Sequence, residues 1–80
     1  MTEDAAETHD RAHNWLAQVV SARRRAVGLR QEDLADLAEV SHRFVQALEA
    51  GKPTVRLDKV EAVLNALGLR LAAVPHRETP

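Results

Sequence analysis

Between Gln31 and Gly51 the chain has room for two helices and almost nothing between them. QEDLADLA (31–38) carries Leu34, Leu37 and Ala38 at helical spacing, and VSHRFVQALEAGKP (40–53) carries Val40, Val45 and Leu48 on one face. Ser41 is a good N-cap for the second helix, Gly51 stops it near Ala50, and Pro53 prevents its resumption. Glu32 and Asp33 suit the positive end of the first. Only about three residues join the two, and short helices so connected are forced to cross steeply. With Val45 and Leu48 facing a core, His42, Arg43 and Gln46 must point away from it together.

The flanking segments are helical too. From about His9 to Val27 there is no Gly or Pro; Leu16, Val19, Val20, Arg24 and Val27 fall at helical spacing, and Gly28 supplies a stop. A fourth helix from about Arg56 to Leu67 places Leu57, Val60, Val63, Leu64 and Leu67 on one face, closed by Gly68. LRLAAVP (69–75) is different: short, partly alternating and ended by proline, it reads as a strand of Leu69, Arg70, Leu71, Ala72, Ala73 and Val74. A solitary strand cannot satisfy its own backbone. The same strand from a second copy, antiparallel about a two-fold axis, is the simplest partner; an extended tail or a continuation of helix four is the plainer alternative. Residues 1–10 read as a flexible acidic lead-in, 11–68 as the folded domain, 69–75 as the dimer strand and 76–80 as a flexible tail.

Composition narrows the function. Eighty residues form one domain, and one so small buries only about 60–65% of its unfolded surface, so a second subunit would help its core. Without cysteine there are no disulfides or thiolate metal sites. No apolar run approaches a membrane span and the acidic start is unlike a signal peptide, so a cytoplasmic protein without membrane attachment is expected. The net charge is −1, but residues 1–10 hold four of the twelve acidic groups and no Lys or Arg, leaving 11–80 at +3. That permits nucleic-acid binding without demanding it.

In a helix-turn-helix unit the second helix presents its N-terminal residues to base edges in the DNA major groove, while the first lies across the backbone. His42, Arg43 and Gln46 would then read bases: Arg can donate twice to guanine, and Gln can pair with adenine. The stretch Leu16 to Pro75 resembles the Xre/Cro-type helix-turn-helix regulators, most closely the HipB-like antitoxins. The matching segments are LAQVVSARRRAVGLRQEDLADLAEVS and FVQALEAGKPTVRLDKVEAVLNALGLRL. The resemblance implies an all-α, lambda-repressor-like bundle of four to five helices, with LGLRLAAVP as the strand of an intermolecular sheet. By the same resemblance Gln31 binds a phosphate and buttresses the recognition helix, Ala47 joins the base-contacting positions, and Ser41 and Lys52 lie near the DNA backbone, where Arg30 or Arg56 can add contacts. The implied function is a homodimeric repressor on a palindromic operator, the antitoxin of a module whose HipA-like kinase toxin it neutralises. A stand-alone Xre-type regulator, or an interaction module that has lost DNA binding, are the alternatives.

The chain departs from the family pattern at three places. Arg30 stands where the second helix usually has a Ser or Thr cap, so a capping bond of about 1 kcal/mol is forfeited. Glu39 occupies the turn position usually held by Gly, where a left-handed backbone costs Glu roughly 1 kcal/mol more. Phe44 replaces a smaller residue and either packs on the domain or borders the sugar-phosphate edge.

Other signals are structural. Arg24 lies on the inward face of the first helix, where a guanidinium requires a carboxylate; Glu49, four after Val45, is the candidate, and the resemblance suggests the same pair. Arg23 and Arg25 read as solvated charges, and Trp15 as packing on the domain or a partner subunit. His9 and His13, with Asp10 between them, have i, i+4 metal-ligand spacing but no third strong ligand, so no metal site is expected. No nucleophile–base arrangement or Gly-rich phosphate loop occurs, so neither catalysis nor a cofactor is expected.

Overall fold

A computed structural model describes residues 15–76 of the chain. Among these residues four helices follow one another: α1 through residues 15–26, α2 (Gln31–Ala38), α3 (His42–Glu49) and α4 (Leu57–Ala66). The fold is an all-α helix-turn-helix bundle, with no strand among the described residues. The start expected for α1 near His9, the His9–Asp10–His13 cluster and the acidic lead-in lie outside the described residues.

All four helices are closed by the same device. In α1, Gly28 N–H donates to the Arg25 carbonyl and Leu29 N–H to that of Arg24, both at 3.0 Å. Val40 to Ala35, Lys52 to Ala47 and Leu69 to Leu64 repeat the longer bond at the ends of α2, α3 and α4. Such a closure needs one left-handed residue just past the helix. Three ends supply glycine, but α2 supplies Glu39, at φ 59°. The geometry expected for Glu39 is therefore the one it adopts. Glu39→Gly should raise stability by about 1 kcal/mol, because it removes the Cβ crowding of a left-handed L-residue. Urea unfolding would show this as a higher midpoint at unchanged slope.

The start of α2 lacks a side-chain acceptor at Arg30, as expected. The loss is offset from the other direction. Asp33 reaches back to accept from the Arg30 backbone N–H at 2.9 Å, and the Arg30 guanidinium holds the same carboxylate at 3.1 and 3.2 Å. This is the returning half of a capping box.

The core joins one stripe from each helix: Val20 from α1, Leu34, Ala35 and Ala38 from α2, Val45 and Leu48 from α3, Val60, Val63 and Leu64 from α4, with Leu67 just beyond. α2 packs on both α3 and α4. Four residues expected inside are exposed. Leu37 is 60% and Leu57 63% accessible, and Val19 and Val27 are also at the surface. On α2 the buried stripe runs through Ala35 instead of Leu37: α2 packs against both α3 and α4, and the face it turns to them carries the small side chain while the larger Leu37 is left outside. Leu57, in the first residue of α4, precedes the turn that meets the core.

Arg23 is not a free solvated charge. Its Nε donates to the Leu67 carbonyl at 2.9 Å, pinning the C-terminal end of α4 to α1. A cation at that end also meets the negative pole of the helix dipole. Beyond Gly68 the chain runs without helix or strand. Leu69 and Leu71 pack against the core, while Arg70, Ala72, Ala73 and Val74 are exposed.

Candidate nucleic-acid interface

The outward face of α3 is set by its inward one. Val45 and Leu48 are held in the core, so His42, Arg43 and Gln46 are exposed and Ala47 lies half-buried at the edge. Ser41 caps the helix, its Oγ accepting from the Phe44 N–H at 3.0 Å. The first turn carries no acidic residue, so the positive end of the dipole is not neutralised locally.

The tilt of α3 is secured at its other end. The Glu49 carboxylate accepts from Arg24 Nε at 2.6 Å and Arg24 Nη2 at 2.9 Å, a two-pronged pair, and from Gln31 Nε2 at 3.1 Å. Arg24 Nη1 also donates to the Leu29 carbonyl at 2.9 Å. The carboxylate thereby ties α1 and the start of α2 to the end of α3, and Arg24 adds the α1–α2 connection. The Arg24 and Glu49 side chains are only 12% and 7% accessible. Burial alone would push the Glu49 carboxyl up, but the Arg24 guanidinium and the Gln31 amide together hold it below its ordinary value. No buried side-chain polar atom among the described residues lacks a partner.

A groove of about 490 Å³ runs between α3 and the start of α4. From α3 and its cap come Ser41, Arg43, Phe44 and Ala47; from the connection Lys52, Thr54, Val55 and Arg56; from α4 Lys59. Four of these are cations and none is acidic. Phe44 settles between the two places expected for it: its ring is half-buried against the core and forms part of the groove wall. Lys59 Nζ lies over that ring, 5.7 Å from its centre.

The cations divide into paired and unpaired. Arg56 is held by Asp58, with Nη2–Oδ2 at 2.7 Å and Nε–Oδ1 at 3.1 Å, and Arg30 by Asp33 and Glu32. These guanidiniums keep the Asp33 and Asp58 carboxyls below their usual range. Arg43, Lys52 and Lys59 make no ion pair among the described residues. The structure thus brings Ser41, Arg43, Ala47, Lys52 and Arg56 to one groove, while Gln31 sits at the Glu49 junction and Arg30 at the start of α2. Sequence reading missed Thr54 and Lys59, because nothing in the local pattern around Lys59 signals that it faces Phe44, fifteen positions earlier.

No group of three potential ligands for a metal occurs among the described residues, and no helix there is long and apolar enough to cross a membrane.

Two short helices crossing at a three-residue turn, with the second held outward beside a cationic groove, define a helix-turn-helix protein. The chain belongs to the helix-turn-helix domain family, whose model matches residues 15–76. It is also similar to an uncharacterized HTH-type transcriptional regulator, y4mF, of Sinorhizobium fredii: 45% identical over 53 residues, covering 66% of this chain and 70% of that protein.

Proposed function

We infer that the chain is a sequence-specific DNA-binding repressor that acts as a homodimer on a palindromic operator. The observation that carries this reading is the outward face of α3, where exposed His42, Arg43 and Gln46 flank a groove lined by four cations and no acid. In this reading His42, Arg43, Gln46 and Ala47 meet base edges. Ser41, Lys52, Arg30, Arg56 and the remaining amide hydrogen of Gln31 meet phosphates, positioning the protein without selecting sequence. The name of the Sinorhizobium fredii relative supports regulation of transcription.

The dimer is supported by residues 70–75, whose backbone groups make no hydrogen bond among the described residues. Pairing that extended segment with its copy would satisfy them, and would cover the exposed Val74. Two recognition helices would then enter successive major grooves about 34 Å apart. A chain ending at Leu71 keeps Leu69 and Leu71 on the core but loses most of the strand. It should dimerise more weakly in sedimentation; an equally tight dimer would remove the paired-strand arrangement.

The antitoxin role follows from the resemblance to HipB-like proteins. In it the dimer also binds a HipA-like kinase toxin and represses the shared operon with it. Co-purification with the product of an adjacent kinase-like gene tests that half. For DNA binding itself, selecting bound duplexes from a random pool is decisive: enrichment of a palindrome with half-sites one helical turn apart is expected, and no enrichment would refute the reading.

A further inference from the structure

The α4 side of the groove offers two cations, Arg56 and Lys59, and they are not equivalent. Arg56 already has a carboxylate: Asp58 takes two of its N–H groups. Any phosphate that binds Arg56 must displace Asp58 first, so the net gain is the difference between two ion pairs. Lys59 makes no ion pair among the described residues and rests on an aromatic face instead. An ammonium over a ring is weakly held compared with one on a phosphate. It is therefore confined before binding yet easily transferred.

The surroundings of Lys59 suit an anion with several oxygens. Arg43 and Lys52 line the same groove, the Ser41 and Thr54 hydroxyls add donors, and no carboxylate lines it. Phe44 belongs to α3, so the ring that holds Lys59 moves with the helix that would read the bases. Lys59 is half-buried, and part of the ordering cost of a long side chain is therefore met in the free protein.

We propose that Lys59 is the phosphate-binding residue of the α4 side, positioned by the Phe44 ring, and that Arg56 is secondary there because Asp58 occupies it. The ligand is the sugar-phosphate strand bordering the groove that α3 enters, so the assignment rests on the DNA-binding reading above. Each phosphate neutralised by a cation releases condensed counterions, and the slope of log affinity against log salt counts such contacts.

The test uses the full chain, a duplex recovered from the random-pool selection and a scrambled duplex of equal length, with anisotropy measured across a salt series. Lys59→Ala should flatten the salt slope by about 1 on both duplexes and leave their ratio of affinities unchanged. Arg56→Ala should flatten it less. Phe44→Leu keeps every charge and should weaken both complexes, whereas Phe44→Tyr, which retains a ring face, should not. In a Lys59→Ala background Phe44→Leu should have little further effect, since a positioning residue has nothing left to position. Melting temperatures of the free variants separate this from a general loss of fold. An unchanged slope in Lys59→Ala overturns the assignment while the DNA reading stands. An equal effect of Phe44→Leu in both backgrounds overturns the positioning role. A wild-type chain that binds neither duplex overturns the DNA reading and this assignment with it.

Discussion

Glu49→Ala should destabilise the fold by about 3–5 kcal/mol, the range for removing one partner of a buried ion pair. The substitution strands the Arg24 guanidinium and deprives the Gln31 amide of its acceptor. Arg24 keeps the Leu29 carbonyl, so the lower end of the range applies. Against a total of about 5–15 kcal/mol for a domain this is severe, lowering the melting temperature by roughly 4–8 °C for each kcal/mol. A loss below about 1 kcal/mol in urea unfolding would mean the junction does not hold α3. Glu49→Gln retains volume and one acceptor and should lose less.

The same pair sets a pH dependence. Glu49 has a folded value below its ordinary 4.5, so its stabilising contribution is complete above that value and is lost as pH falls through the lower, folded one. Asp33 and Asp58 are shifted the same way by exposed pairs and remain in the variant. The difference between wild type and Glu49→Gln isolates the buried carboxylate: it should be largest near neutrality and shrink on acidification from about pH 4.5. A difference that stayed constant to pH 2 would contradict this.

Arg43→Ala should reduce operator affinity by about 1–3 kcal/mol and relax preference at one base pair. Arg43 is the second residue of α3, exposed and without a carboxylate partner among the described residues. Its reach and its two-pronged donors suit a guanine edge. Lys52→Ala, in the following connection, should weaken all sequences about equally, because a phosphate carries no base identity. Competition binding against duplexes with single base changes separates the two. If Arg43→Ala retains both affinity and preference, α3 does not enter the groove as inferred.

Much of the framework is legible in the order of residues along the chain. Gly28, Ser41, Gly51, Pro53 and Gly68 mark helix ends, and they act through bonds within a few residues of themselves. The C-terminal ends of α1, α3 and α4 and the start of α3 fall within a residue or two of where these signals place them. Arg24 can be placed inward by its distance from Val20 and Val27. The left-handed backbone at Glu39 is implied by the family resemblance, which puts Gly at that turn position, and the structure shows it at φ 59°. Local chemistry of this kind travels with the sequence.

Other features depend on which neighbour arrives. Leu37 and Ala35 compete for the core, and α3 and α4 decide between them. Arg23 finds the end of α4 forty-four positions away, and Lys59 finds the ring of Phe44 on another helix. From sequence alone came the helices, the Ser41 cap, the short turn and the outward triad on α3, because periodicity and capping are satisfied within a turn or two of chain. Only the tertiary structure decided which cations are already neutralised and which lie open on the groove, because a charge chooses its partner by distance in space, and distance along the chain does not predict it.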